Sequence, residues 1–228
     1  MRAAALDAPS RWRSVSVWLM PLLVASFAAQ QLIIGPKAYS AYLFLSGYGM
    51  KSGHFWEILT CQGFHTSHSL LLGLGHLGVN LAGLWFLGRP LEARFGSGRF
   101  VSLALVTGTV GALAQAAVAV TGFLLPESSA NTADFLIARF GESVGSSNAL
   151  CGALGCYCLW KSREPLRVLW WLPVQGRHLF WLVLAVAALL MVVPTDPNLA
   201  HVGHLVGLLT GAAAYRFWLG RNAGPAQA

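Results

Sequence analysis

The sequence predicts an all-α membrane protein folded as a bundle of six transmembrane helices. Three observations predict it. Hydrophobic residues make up 56% of the 228 and charged residues only 10%. The chain divides into six apolar runs, and its basic residues fall in alternate loops between them. A water-soluble domain carries about 25% charged residues. This chain lacks that surface, so its outer face suits lipid. The 25 glycines and 9 tryptophans agree, since glycine lets membrane helices approach closely and tryptophan favours the bilayer interface.

The first run, Val17–Ile34, follows Arg2, Arg11 and Arg13. That start is like a signal peptide's, but the run is long and no clear small-residue cleavage site follows, so it reads as a retained span. Residues 1–16 form a cytoplasmic segment before it. An outer loop over about 35–69 carries Tyr39, Tyr42, Tyr48, Phe55 and Trp56, which suits the bilayer interface. The second and third runs are Leu70–Leu87 and Val101–Leu124. A second outer loop over about 125–143, with Glu127, Asp134 and Glu142, reads as solvated. Val144–Trp160, Leu179–Val193 and Asn198–Trp218 complete the set. Several runs fall short of the ~20 residues that cross a bilayer, so their ends must use polar neighbours or the bilayer must thin. The membrane domain thus covers 17–218, with a disordered cytoplasmic tail at 219–228.

Loop charges test this arrangement. With the N-terminus in the cytoplasm, 12 of the 15 lysines and arginines lie inside, and only Lys37, Lys51 and Arg139 lie outside. That asymmetry supports six spans with both termini cytoplasmic, and it breaks if one span is dropped. The net charge of +7 is then a topology signal and not a nucleic-acid surface. Cys61 stands alone, while Cys151, Cys156 and Cys158 share one run. No disulfide framework or metal-ligand spacing appears, so these read as small buried side chains.

Polar groups inside lipid are costly, which makes each a functional candidate. They are His76 and Asn80 on the second run, Ser146, Ser147 and Asn148 on the fourth, and His201 and His204 on the sixth. All three runs travel from outside to inside. His76 and His204 each lie ~9 Å below the outer start of their run at 1.5 Å rise per residue, and Ser147 lies near the start of its own. Any one of them also suits interhelical glue; their shared level points to a site. Gly207 and Gly211 share a face with His204, and Gly145, Ala149, Gly152, Ala153 and Cys156 form a small-residue surface beside Ser147. Close packing of these faces would let the imidazole accept the serine proton. Ser147 opens a helix, whose amides favour a developing oxyanion, and His76 and Asn80 at i and i+4 project from one face as further donors.

These motifs resemble those of the rhomboid intramembrane serine protease family. His76-Leu-Gly-Val-Asn80 is similar to the family's His-xxx-Asn. Glu92-Ala-Arg94-Phe-Gly96 is similar to its Glu-x-Arg-x-Gly turn. Gly145-Ser-Ser147 matches Gly-x-Ser, with Gly152 at the expected later position. His204-Leu-Val-Gly207-Leu-Leu-Thr-Gly211 matches His-xx-Gly-xxx-Gly, and Trp56 looks like the tryptophan of the first outer loop. The resemblance covers about 17–218. It implies a six-helix rhomboid-like bundle in a bacterial-type inner membrane. It also implies a dyad of Ser147 as nucleophile and His204 as general base, without a third acid. His76, Asn80 and the Ser147 amide would hold the oxyanion, and no metal or cofactor would be needed. The substrates would be transmembrane segments of other proteins.

The chain departs from the family at four places. Asn148 stands where glycine follows the serine, with room either to crowd the site or to add a hydrogen bond. Glu57 replaces the arginine after Trp56. The stretch from His65 to His76 is longer than usual, and Cys151 stands where an aromatic often packs on the base. The alternative is therefore a catalytically inactive rhomboid-like protein that binds membrane segments; a small channel or transporter is a third reading. The glycine spacing selects His204 over His201 as base, leaving His201 to line the outer mouth. His65, His68, His201 and His204 invite a metal reading, but nothing else resembles a zinc ligand set.

Overall fold

Once water is gone, every backbone N–H and C=O must find its partner within the segment, so long apolar runs fold as helices. The computed structural model describes residues 14–34, 42–65, 69–124, 142–168, 171–192 and 201–220. The expectations for 1–13, most of the second outer loop (125–141) and the tail from Arg221 lie outside the described residues, as does His68. Helix α1 spans Val15–Ala29 and continues through a π turn at Gln30–Ile34. The segment between the first and second runs holds a two-residue strand β1 (Leu45–Ser46) and two short helices, α2 (Gly47–Lys51) and α3 (Glu57–Thr60). Helix α4 (Leu70–Gly83) runs through a π turn at Leu84–Gly88 into α5 (Arg89–Phe95), and α6 covers Ser97–Leu124. After strand β2 (Glu142–Ser143) comes α7 (Ser147–Trp160). Strands β3 (Pro165–Val168) and β4 (Leu172–Gln175) form an antiparallel hairpin that leads into α8 (Gly176–Val192). Helix α9 (His201–Ala214) ends in a π turn at Tyr215–Leu219.

A helix lies on each of the six apolar runs. Among the described residues three are long and apolar enough to cross a membrane: Val15–Ile33, Leu70–Phe95 and Ser97–Thr121. Helices α7 and α9 have 14 residues each. The fourth run was expected to be helical from Val144, but α7 begins at Ser147. The reason is local: Glu142–Ser143 pairs antiparallel with Leu45–Ser46, and Gly145 takes φ +109°. Such short strands carry too little alternation to be read from sequence.

Helices α6, α7 and α9 pack on one another through their small residues. A methyl group on Gly211 would run into the carbonyl of Gly152, one on Gly207 into that of Asn148, and one on Gly155 into that of Leu208. At the other end of the bundle, Glu92 is buried and accepts five hydrogen bonds. They come from Ser14 Oγ at 2.5 Å, Val15 N at 2.7 Å, Ser16 N at 2.9 Å, Ser16 Oγ at 2.7 Å and Ser97 Oγ at 2.6 Å. The carboxylate thus caps the orphan amides that open α1 and ties α1 to α5 and α6.

Gly211→Ala is expected to lower the melting midpoint in detergent, at a cost of about 1–3 kcal/mol. Gly98→Ala, whose added methyl would meet open space, should leave the midpoint unchanged or slightly raised. Equal midpoints for the two variants would contradict the close approach.

Candidate active site

Ser147 is the first residue of α7. The turn before it requires glycine twice over: Gly145 has φ +109°, and a Cβ there would stand 2.6 Å from Cε1 and Nε2 of His76. Gly145 N donates to Cys61 O at 2.8 Å, fastening the turn to the segment between α1 and α4. His204 lies in the first turn of α9. The close approach of α7 and α9 brings the two together, with Ser147 Oγ 2.7 Å from His204 Nε2. That is hydrogen-bond distance for a hydroxyl and an imidazole nitrogen, and the pair is partly buried.

His76 and Asn80 lie one turn apart on α4. The ring of His76 covers Gly145. Asn80 is fully buried; its Nδ2 donates to His76 O at 2.9 Å and its Oδ1 accepts from Ser146 Oγ at 3.2 Å. Asn80 therefore clamps α4 to the residue that precedes Ser147. All four expected site residues thus surround one turn. His201, expected to line the outer mouth, is buried at 2% exposure.

Two histidines of the second run and its loop meet edge to face, His65 against His76, with centroids 5.3 Å apart. His65 is fully buried and neither ring nitrogen has a hydrogen-bond partner among the described residues. Gln30 at the end of α1 holds its backbone, through Gln30 Nε2 to His65 O at 2.6 Å and His65 N to Gln30 Oε1 at 3.0 Å. In sequence His65 offered only a metal reading, because its neighbour lies 11 residues on.

The departures also find places. Glu57 is fully buried, and its carboxylate accepts from Ser46 N at 2.9 Å and Ser46 Oγ at 3.2 Å and meets His54 Nδ1 at 3.2 Å. It fills the space a side chain on Gly49 would need. Nearby, burial pushes the Cys61 thiol up to about 12, and the Glu57 carboxylate adds to the effect, so this thiol stays protonated and inert. Cys151 packs against the apolar cluster of Cys158, Phe180 and Leu208. The Asn148 side chain is buried between Gly111 of α6 and Gly203 of α9. A cavity of about 500 Å³ opens between α1, α6 and α7; Leu19, Leu103 and Ala149 line it, and Ser146 reaches it.

Ser146→Ala is expected to leave Asn80 Oδ1 buried without that donor. The cost should be about 1–3 kcal/mol, read as a lower melting midpoint in detergent. An unchanged midpoint would mean that the Ser146–Asn80 bond contributes nothing net.

A family model described as Rhomboid domain matches residues 52–221. That range holds His76, Asn80, Ser147 and His204. Among curated proteins the chain is similar to Rhomboid protease GluP of Bacillus subtilis (strain 168), at 26% identity over 167 residues. The alignment takes in 72% of this chain and 27% of that protein. The chain therefore spans about a quarter of the length of the curated relative it matches.

Proposed function

The chain belongs to the rhomboid family, and from that premise we propose that it is an intramembrane serine endopeptidase that cleaves transmembrane segments of other membrane proteins. The 2.7 Å contact between Ser147 Oγ and His204 Nε2 carries this reading. Ser147 Oγ attacks the scissile carbonyl carbon while its proton passes to His204 Nε2. The carbonyl electron pair becomes an oxyanion. The amide of Ser147, at the start of α7, donates to it together with His76 and Asn80. Asn80 Nδ2 carries two hydrogens, and His76 O takes one, which leaves the other for substrate. Collapse of the intermediate breaks the C–N bond, and the leaving amine takes the proton from His204. Water then gives a proton to His204 and attacks the acyl ester; as the acyl C–Oγ bond breaks, His204 returns that proton to Ser147 Oγ and the carboxylate half is released. Nucleophile and proton acceptor both come from the chain, so the scheme needs no metal or cofactor.

The same reading takes 17–218 as a single domain of six spans in a bacterial-type inner membrane, both termini cytoplasmic. Six helices on six apolar runs and the 12-to-3 division of basic residues support it. The second reading, a catalytically silent member that binds membrane segments, draws on Asn148 in place of glycine beside the nucleophile.

A fluorophosphonate probe separates the two. Ser147 should be labelled in the purified protein and no label should attach to Ser147→Ala. An unlabelled protein beside a reacting control serine protease would sink the enzyme reading. On a transmembrane reporter, His204→Ala should lose on the order of 10⁴-fold or more in turnover. Asn80→Ala should lose about 10²–10³-fold, because two other oxyanion donors remain. A larger defect for Asn80→Ala than for His204→Ala contradicts the assigned roles.

A further inference from the structure

We propose that Asn148 is a positioning residue for the general base: its carboxamide, wedged between α6 and α9, fixes the first turn of α9 and so aims His204 at Ser147. This inference rests on the protease reading. Asn148 adjoins Ser147 in the chain, and Gly203 adjoins His204. The two flanking residues touch as the pair itself does. A methyl group on Gly203 would stand 2.6 Å from Asn148 Oδ1 and 2.9 Å from its Cγ and Nδ2. One on Gly111 would stand 3.0 Å from Asn148 Cβ and 2.7 Å from Gly203 O. The volume that Asn148 adds is thus matched by two side chains that are missing around it. One turn further along α9, Gly207 rests on the Asn148 carbonyl. The first two turns of α9 are therefore gripped by one residue of α7. Gln115 of α6 holds the first of these turns, accepting from Gly203 N at 3.3 Å.

The wedge has a cost. Asn148 Oδ1 is buried and has no hydrogen-bond partner among the described residues, and an unpaired buried acceptor is destabilising. An apolar filler of that space would avoid the penalty. What the amide supplies is a rigid, planar spacer against the backbone that carries His204. A misplacement of about 1 Å can cost 10²-fold in rate, so a small residue at 148 would release the base without removing it.

The test is a four-protein cycle: parent, Asn148→Gly, Gly203→Ala and the double variant. It reads the rate of Ser147 labelling by the fluorophosphonate and kcat and KM on a transmembrane reporter, each normalised to folded protein. Each single variant should lose about tenfold or more in labelling rate and kcat at unchanged KM. The double variant, whose methyl enters the room the amide leaves, should recover to within about threefold of the parent. Losses that simply multiply in the double variant overturn the proposal, as does Asn148→Gly reacting at the parent rate. A parent that never labels overturns the protease reading instead. In that case the melting midpoints of the four proteins decide the wedge: non-additive midpoints uphold it and additive midpoints overturn it.

Discussion

The backbone approach of α7 to α9 is the constraint on which the rest of the structure depends. Lipid gives two helices no hydrophobic reason to meet, so their contact rests on van der Waals packing and on residues small enough to allow it. Gly152 against Gly211, Gly207 against Asn148 and Gly155 against Leu208 place carbonyls where side chains would otherwise stand. A hydrogen bond of 2.7 Å between Ser147 and His204 tolerates little slack. With larger residues at those glycines the helices stand further apart, and no rotamer of two short side chains makes up the difference. The polar pair is a consequence of the apolar contact.

Polar bonds do their holding at the two ends of the bundle. At the end that carries Ser147 the β1–β2 pair, the Gly145–Cys61 bond and the Ser146–Asn80 bond all act on the few residues before Ser147. They force α7 to start at Ser147, which leaves its first amides free of intrahelical partners. At the other end Glu92 collects five donors from α1 and the start of α6. Leu84, Leu91, Leu103 and Leu219 belong to one buried apolar cluster.

Much of this was legible in the sequence, for reasons that differ by element. The apolar runs gave the helices because hydropathy and backbone satisfaction act on long segments. Gly207 and Gly211 gave the α9 face because their spacing follows the helix period. The short strands were not legible, since two to four residues hold no period. Nor was the partner of Asn80, because Ser146 lies 66 residues away and nothing local encodes that pairing. The position of His201 near a run's start suggests the outer mouth. Depth along a helix does not fix which face a side chain takes, and this one is buried.

The departures from the family pattern change meaning once their surroundings are known. Read singly, Glu57 in place of arginine and Asn148 in place of glycine suggest a weakened site. Each stands beside space or donors that fit it. Glu57 meets two donors of Ser46, His54 and the bare Cα of Gly49. Asn148 meets Gly111 and Gly203, from two different helices. A residue that merely intruded would find ordinary side chains in its way. Both substitutions instead occupy fitted spaces, and one of those spaces borders His204. The unpaired Oδ1 of Asn148 is the one part of that fit left without an answering donor among the described residues. A buried acceptor kept at that cost, one residue from the nucleophile, is better explained by the geometry it enforces than by the space it fills.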